Sequence, residues 1–203
     1  MENRLLHAGA LGLANRLNRY LGRNESELKK MVLGMEILLV NVSKMIVIYL
    51  LAILVGAVVQ TAILQAGYVL IKRFSFGLHA LNSTVCAAVS CFMFVVAPWL
   101  LMGVGVGNVV VFTVFIPVLF CLLKFAPADT KARPLIGSIL RARLKKKAVG
   151  CGVALMAITL LIPSYEIKFL LTLGAVYQCI AILPLTYRLL KRSERNYEKY
   201  ERL

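Results

Sequence analysis

The sequence predicts an all-α, polytopic membrane protein of about six transmembrane helices in three hairpins, preceded by an amphipathic helix in the membrane interface. Hydrophobic residues make up 60% of the 203-residue chain, charged residues make up 16%, and the mean hydropathy is +0.81. Soluble domains are about half apolar and about a quarter charged. The apolar runs are internal and recur along the chain, and its first residues lack the pattern of a cleavable secretory signal.

The N-terminal segment, residues 1–30, predicts the amphipathic helix. Its leucine and alanine side chains recur at spacings of three and four, and its arginines lie on other faces. The apolar positions are Leu6, Ala10, Leu13, Leu17 and Leu21, and the basic ones are Arg16, Arg19 and Arg23. Asn24, followed three residues later by Glu27, is typical of a cap for the next helix.

The first long apolar run predicts two passes. A bilayer core is about 30 Å thick and needs about 20 helical residues to cross it. Residues 31–71 are long enough for two such helices with a turn near Gly56. One alternative stays open, because residues 45–71 also fit one long tilted helix.

Two further hairpins are predicted downstream. The glycine-rich stretch 103–108 is the expected turn of the second hairpin, since glycine and asparagine accept turn conformations readily. Pro163 and Ser164 form the expected turn of the third. The four passes are residues 84–102, 109–125, 148–163 and 167–190.

Lysine and arginine predict the orientation of the passes, because short basic loops stay on the cytoplasmic side of a membrane. Four clusters contain 22 of the 24 basic residues. These clusters are residues 1–30, the pair Lys72 and Arg73, residues 124–147 and residues 188–202. With six passes, all four clusters are expected on the cytoplasmic side.

The net charge of +15 does not by itself indicate a nucleic-acid partner. Basic residues beside apolar passes also set topology and bind anionic lipid headgroups. The run from Arg141 to Lys147 has five cations in seven residues, a field suited to an acidic peptide. It lacks the interleaved aromatic residues that stack on nucleic-acid bases. Anionic lipids and an acidic peptide are therefore the expected partners, and a purely topological role stays open.

His79 and Cys86 form the candidate catalytic pair. A thiol needs a base or a positive field to become the reactive thiolate. On a continuous helix the two residues share a face but stand about 10.5 Å apart along the axis. Gly77 permits a bend, and Asn82 or Ser83 can cap a new helix in which Cys86 falls in or next to the first turn. The positive end of that helix would favour the thiolate, with His79 on the loop before it.

Two readings compete with this pair. Ser75 and Ser83 offer a serine nucleophile, which is weaker because an unactivated hydroxyl is far less ionised. A loop histidine beside a buried cysteine is also compatible with no chemistry at all. A third residue that orients His79 is not selected by any spacing, and Asp129, Asn82 and Ser75 are the candidates.

The remaining four cysteines lie in apolar runs, where cysteine packs as a small hydrophobe. They are Cys91, Cys121, Cys151 and Cys179. The sequence has no Cys-x-x-Cys pair, and His79, Cys86 and Cys91 do not match the paired ligand spacing of zinc sites. No metal and no cofactor are expected.

Polar residues within the predicted passes suggest an alternative function. Such residues tend to face the protein interior or a wet cavity, so they are compatible with a small peptide exporter or transporter that has no proteolytic activity. A membrane scaffold is a third reading, and Glu36 near a membrane boundary also fits a solvated position. The polar residues are Glu36, Asn41, Lys44, Gln60 and Gln65.

Two motifs together carry a family resemblance. The pattern Gly-x-His-x6-Cys runs from Gly77 to Cys86, and Ala-Pro-Ala-Asp-Thr-x-x-Arg-Pro runs from Ala126 to Pro134. In this order, behind a basic amphipathic start, they resemble the accessory gene regulator protein B (AgrB) family. The likeness spans nearly the whole chain.

The resemblance implies a bacterial membrane cysteine endopeptidase of peptide quorum sensing, and the basic clusters place its active site on the cytoplasmic side of the cell membrane. The family's catalytic histidine and cysteine map onto His79 and Cys86, and its glycine maps onto Gly77. The implied partner is an AgrD-like precursor peptide with an amphipathic leader and an acidic tail. The enzyme would cut before the tail through a Cys thioester, which a cysteine or serine of the peptide captures as a thiolactone or lactone.

The resemblance also suggests substrate-binding residues. Lys72 and Arg73 stand where family members often carry basic residues. The acidic tail would meet Lys145, Lys146 and Lys147. The whole chain, residues 1–203, is expected to form one peptidase domain, with an active-site segment at 72–86 and a basic cytoplasmic loop at 126–147. Glycine-rich stretches permit close helix contacts, so a homo-oligomer is a further open expectation.

Overall fold

The computed structural model describes residues 2–77, 83–130, 135–190 and 197–198. His79, Asn82 and the end of the second motif therefore lie outside the described residues. Contacts divide the chain into two compact units, residues 1–51 and residues 52–203. The expectation of one peptidase domain stays a prediction.

Helices connected by short turns account for most of the described residues, which confirms the predicted all-α class. Three of the helices, α2, α6 and α8, are long and apolar enough to cross a membrane, and residues 85–100 form a shorter apolar stretch. The count of six passes stays a prediction. The helices are α1 Glu2–Leu21, α2 Glu25–Leu54, α3 Val58–Ser75, α4 Ser83–Cys91, α5 Ala97–Leu100, α6 Asn108–Phe125, α7 Ser138–Leu161, α8 Tyr165–Ile182 and α9 Pro184–Leu189, with a π-helical turn Phe92–Val96 between α4 and α5.

In the first unit, α1 packs on α2 through small side chains. Ala10 and Ala14 are fully buried against Val32, and four larger apolar residues of α2 surround them. The leucines of α1 at positions 13, 17 and 21 are instead exposed. The predicted helix is confirmed, and its leucines remain available for a membrane interface, a location that stays a prediction.

Polar contacts support the same unit. The Asn24 side chain accepts a hydrogen bond from the Glu27 backbone N–H at 3.0 Å, which confirms the predicted cap of α2. The His7 ring of α1 is hydrogen-bonded through Nδ1 to the Glu36 carboxylate of α2. Glu36 therefore has a hydrogen-bonding partner within the protein. The two expectations from the sequence, a polar path for transport and a solvated position, did not include this contact.

The chain breaks between α2 and α3, as the turn near Gly56 predicted. Gly56 has a φ of 70°, a left-handed value at which side chains other than glycine are disfavoured. The Ala57 N–H donates to the Ala52 carbonyl at 2.8 Å and closes the end of α2. One continuous helix over residues 45–71 is therefore excluded.

Helices α3, α6, α7 and α8 surround a shared apolar core in the second unit. The α3 and α8 backbones approach closely where Gly67 and Gly174 meet, since a Cβ at Gly174 would lie 2.5 Å from the Leu64 carbonyl oxygen. Small residues at helix crossings permit such an approach in membrane proteins. Fully buried members of the core include Ile71, Val111, Phe115, Leu122, Ala148 and Ala175.

The last predicted pass, residues 167–190, is interrupted. Helix α8 ends at Ile182, Leu183 is extended with φ −66° and ψ 134°, and α9 begins at Pro184. Proline lacks a backbone N–H and disfavours the helical conformation of the residue before it, so the break follows from the sequence. The turn at Pro163 and Ser164 is confirmed.

The last ten residues of the predicted basic loop, residues 126–147, are helical instead. Helix α7 begins at Ser138, so the basic run from Arg141 to Lys147 is helical. Arginine, leucine and lysine are good helix formers, and this run contains neither proline nor glycine. The helix spaces these cations around its axis, which a loop would not do.

Candidate active site

The chain leaves α3 toward the predicted catalytic segment through two unusual backbone conformations. Phe76 has a φ of 55° and donates its N–H to the Lys72 carbonyl at 3.0 Å. Gly77 follows with a φ of 114°. A Cβ at Gly77 would lie 3.0 Å from the Ala181 carbonyl oxygen of α8. Both the conformation and the space therefore require glycine, two residues before His79.

The two motifs meet in the structure. The Gly77 N–H donates to the Ala128 carbonyl at 3.1 Å, and the Ala128 N–H donates to the Ser75 carbonyl at 2.9 Å. These bonds form an isolated parallel bridge between Phe76 and Ala128. We call residues 75–77 and 126–130 the junction. It anchors the backbone directly before the predicted active-site segment.

A glutamine from α8 completes the junction. The Gln178 Nε2 donates to the Phe76 carbonyl at 2.6 Å and to the Ser75 Oγ at 2.7 Å. Gln178 is fully buried, and its Oε1 has no hydrogen-bond partner among the described residues. Gln178 was not among the predicted site residues, although a glutamine within an apolar pass is a signal that could have identified it.

Ser75 has a structural role in this arrangement. Its Oγ donates to the Ile71 carbonyl at 2.9 Å and accepts from Gln178. The side chain is fully buried. A buried hydroxyl with both hydrogen-bonding functions engaged is a poor nucleophile and a poor orienting group. The side chain of Ser83, the other serine alternative, lies outside the described residues.

Cys86 is the fourth residue of α4 and is half-buried. The sequence predicted a helix that begins near Asn82 or Ser83, with Cys86 in or next to its first turn. Helix α4 begins at Ser83, which agrees with that position. The partial positive charge of a helix N-terminus favours an anion in the first turn. Because His79 is outside the described residues, the pairing of the two side chains stays a prediction.

Helix α4 is connected to α3 through the π-helical turn that follows it. The Thr61 hydroxyl of α3 donates to the Phe94 carbonyl at 2.7 Å, and the Phe94 ring packs edge-on against Tyr68 at 5.0 Å. The Tyr68 hydroxyl accepts from Lys72 Nζ at 2.8 Å. π-helical turns are frequent near functional sites. Lys72, predicted to bind substrate, thus has its ammonium hydrogen-bonded within the protein.

Two predicted substrate-binding residues meet on one aromatic ring. The Arg73 guanidinium lies 5.7 Å from the Phe74 ring centre, and Lys147 Nζ lies 5.5 Å from the same ring. These are cation–π distances. The structure therefore brings the basic pair at the end of α3 to the basic run of α7. Lys146 is exposed and makes no contact of this kind in the described structure.

A cavity of about 360 Å³ lies beside the junction. We call it the basic cavity. Residues 126–129 of the junction line it, and the other walls come from α6, α7, α9, the last residue of α8 and Tyr197. Lys145 is the one member of the predicted lysine triplet in its wall. The polar lining residues are Lys124, Asp129, Arg141, Lys145, Tyr187 and Tyr197.

Hydrogen bonds and stacking fix several of these groups. The Arg141 guanidinium stacks 3.9 Å from the centre of the Tyr197 ring and donates to the Leu135 carbonyl at 3.0 Å. The Tyr187 hydroxyl donates to the Asp129 carbonyl at 3.0 Å. The Asp129 carboxylate is buried and accepts the Tyr197 N–H at 2.9 Å. Asp129 thus belongs to the cavity wall, and its predicted role beside His79 is not tested.

Elsewhere in the described ranges, several polar and sulfur groups are paired with one another or packed in the core. Gln60 donates to the Glu166 carboxylate at 3.4 Å, so this residue of the suggested transport path has a partner. Cys121 lies in the core, and Cys179 packs against it. Within the described ranges, no three histidine, cysteine or acidic residues converge as metal ligands would.

Comparison with known proteins decides the family. The accessory gene regulator B family model matches residues 12–182, which include both motifs, Cys86 and the basic run of α7. The chain belongs to this family. The resemblance drawn from Gly-x-His-x6-Cys and the proline-bounded loop is therefore confirmed.

Related proteins cover most of the AgrB-family chain. A putative AgrB-like protein of Clostridium acetobutylicum is 41% identical over 187 residues, 92% of this chain and 90% of that protein. A putative AgrB-like protein of Listeria innocua is 44% identical over 172 residues, 85% and 84% of the two chains. The accessory gene regulator protein B of Staphylococcus intermedius is 28% identical over 181 residues, 89% and 95%. No solved structure matches the chain.

Proposed function

We propose that this AgrB-family protein is a membrane cysteine endopeptidase of an agr quorum-sensing system. Its substrate is a short precursor peptide with an amphipathic leader and an acidic tail. Cys86 is the nucleophile and His79 is the general base and acid. The observation that carries the proposal is the location of Cys86 at the start of α4, in a chain that matches the family across residues 12–182.

The reaction is an acyl transfer from the peptide backbone to sulfur. His79 takes the proton of the Cys86 thiol, and the thiolate attacks the carbonyl before the acidic tail. The carbon–nitrogen bond breaks, and the proton passes from His79 to the leaving amine. The signal segment is left as a thioester on Cys86, and the acidic tail departs.

Ring closure follows from the reactivity of the thioester. A thiol or hydroxyl of the bound peptide attacks the same carbonyl, which forms a thiolactone or lactone and regenerates the Cys86 thiol. Exchange between two thioesters changes the free energy little, so the step needs no ATP. Water must be excluded while the thioester exists, which a site at a membrane boundary favours.

The backbone before the catalytic segment supports this chemistry by its rigidity. Gly77 is held by the Ala128 carbonyl, and Phe76 is held by Gln178. A catalytic group performs well only when its position is held within a fraction of an ångström. The junction supplies such an anchor two residues before His79.

Location and orientation are part of the proposal. We infer that the protein lies in the bacterial cell membrane with the junction end facing the cytoplasm. Arg73 and Lys147 contact the same ring, and Lys124, Arg141 and Lys145 line one cavity, so two of the basic clusters lie at one end of the second unit. Clustered cations at one end are typical of the cytoplasmic side.

Mass spectrometry of an acid-quenched reaction tests the mechanism. Wild-type protein incubated with precursor should carry a hydroxylamine-sensitive adduct on Cys86, and Cys86→Ala should abolish both the adduct and cleavage. His79→Ala should lose cleavage and retain peptide binding. Cys91→Ala is the matched control, because Cys91 is a half-buried cysteine of the same helix.

The alternative functions make the opposite prediction. Full processing by Cys86→Ala, or an adduct on Cys91, would contradict the cysteine mechanism. Peptide export that survives loss of Cys86, without any cleavage by the wild-type protein, would favour the transporter reading.

A further inference from the structure

The basic cavity carries an excess of positive charge. Lys124, Arg141 and Lys145 line it together with one carboxylate, that of Asp129, which already accepts the Tyr197 N–H. The ion pairs found in the described part of the chain lie elsewhere, within residues 7–36. Lys124 and Lys145 therefore line the cavity with no carboxylate of the described residues at ion-pair distance. A concave site with this charge favours an anionic ligand.

One of these cations is held in place before any ligand arrives. The Arg141 guanidinium is fixed by its stacking on Tyr197 and by its hydrogen bond to the Leu135 carbonyl. A planar guanidinium in a fixed orientation suits a carboxylate, and a group that is already ordered loses little entropy when it binds. The cavity volume of about 360 Å³ falls in the range of about 300–1,000 Å³ typical of ligand sites.

The position of the cavity connects it to the catalytic segment. Ala128 lines the cavity, and the same residue pairs with Gly77 through the backbone. His79 follows Gly77 by two residues, and an extended chain covers about 3.3 Å per residue. A peptide bound in the cavity would therefore reach the catalytic segment within a few residues.

We propose that the basic cavity is the subsite for the acidic segment of the precursor on the leaving-group side of the cleaved bond. This inference rests on the proposed function and assigns one part of its substrate to named residues. Lys145 and Lys124 bind carboxylates of the tail, and Arg141 binds one from a fixed position. Retention of the tail aligns the scissile carbonyl with Cys86 before the bond breaks.

The cations of α7 fall into two groups, those that line the basic cavity and those that lie outside it. Lys145 is half-buried in the cavity wall, whereas Arg143 is an exposed cation of the same helix outside the cavity. A diffuse basic field would use both residues alike. A defined subsite uses Lys145 and leaves Arg143 without a role in tail binding.

Peptide processing by full-length protein in lipid vesicles tests this distinction. Two precursors are compared, one with its acidic tail and one whose tail carboxylates are replaced by amides. Lys145→Gln should lower kcat/KM for the acidic precursor about tenfold, the loss of one charge-assisted contact at a partly buried position, and Lys124→Gln, at an exposed position of the cavity rim, should lower it by a smaller factor. Both should change kcat/KM for the amide precursor less than twofold, and Arg143→Gln should change neither value.

Charge reversal provides a rescue. Lys145→Glu should be the poorest variant with the acidic tail and should regain activity with a precursor whose tail carries lysine. Equal losses in Arg143→Gln and Lys145→Gln would overturn the subsite in favour of a diffuse field. Equal losses with both precursors would also overturn it.

A lipid headgroup is the competing occupant, and vesicle composition distinguishes it. Losses in Lys145→Gln that appear only in vesicles with anionic phospholipid, regardless of tail charge, would assign the cavity to lipid instead. A binding measurement separates this inference from the mechanism. A peptide comprising the acidic tail alone should bind Cys86→Ala protein about tenfold more tightly than the Cys86→Ala, Lys145→Gln double variant, whether or not Cys86 proves to be the nucleophile.

Discussion

The two ends of the second unit use lysine in opposite ways. At the end where residues 101–107 meet the start of α8, Lys168 is 6% exposed and donates to the Asn108 side chain at 2.5 Å. At the junction end, Lys124 and Lys145 line a cavity and have no carboxylate partner among the described residues. A buried cation with an internal partner stabilises the fold, whereas cations around a cavity remain available to a ligand.

Among the described residues, the junction end also has more hydrogen bonds from its backbone to other segments of the chain than the end at the start of α8. At the α8 start, the Val106 N–H donates to the Tyr165 carbonyl at 3.1 Å. The junction has two such bonds and the buried Gln178 side chain in addition. The end with ligand-accessible charge is thus the end where the backbone is held more strongly, a combination expected of a site that must bind and orient a substrate.

Thiol labelling tests whether the two ends face opposite sides of a membrane. This test has the largest expected effect, because a cysteine at one end should be labelled and a cysteine at the other end should not. In a cysteine-free background, Gly107→Cys and Ser138→Cys should react oppositely with an impermeant reagent in intact cells. Both positions accept a side chain, because nothing lies within 4 Å of a Cβ at Gly107 and Ser138 is exposed. Equal labelling would disprove the assignment of the junction end to the cytoplasm.

Gly77→Ala should be the most destabilising single change at the junction. The left-handed φ of 114° costs about 1–3 kcal/mol for alanine, and overpacking against Ala181 costs about 1–3 kcal/mol more. Thermal unfolding in detergent measures the loss. Gly107→Ala, at the other end with an ordinary φ of −82°, is the control and should be nearly neutral. A stable Gly77→Ala protein would show that the junction is not a rigid anchor.

Gln178→Leu should lower the unfolding free energy by about 1–3 kcal/mol, because the Phe76 carbonyl and the Ser75 hydroxyl lose their buried donor. Peptide cleavage should fall by more than peptide binding does, since the anchored backbone precedes His79. Gln60→Leu serves as the comparison, because its 3.4 Å contact is only partly buried. Equal effects of the two substitutions would argue against a special role of Gln178.

Lys168→Met and Lys145→Met compare the two ends directly. Their expected changes in unfolding free energy are the smallest of these tests. Lys168→Met should reduce the unfolding free energy by about 1 kcal/mol through the lost bond to Asn108. Lys145→Met should leave it within about 0.5 kcal/mol, because Lys145 has no such partner in the described part of the chain. Denaturation of the two variants under one condition measures both values. A larger loss for Lys145→Met would identify it as a structural lysine.

Local signals in the sequence predicted much of the fold and part of the site. Asn24 with Glu27, the glycine at 56 and the turn at 163–164 act through neighbouring residues, and all three are confirmed. The start of α4 before Cys86 was also predictable from Asn82 and Ser83. The break at Leu183 was missed, although Pro184 contains the required signal.

The sequence by itself determined the all-α class, the basic clusters and the two motifs that identify the family, because composition and short spacings express them fully. Only the tertiary structure decided that Ala128 pairs with Gly77, that Gln178 supports this pair and that Lys145 alone of the three lysines lines the cavity. These contacts join residues about fifty to a hundred positions apart. Their geometry depends on the close crossing of α3 and α8, which no local pattern specifies.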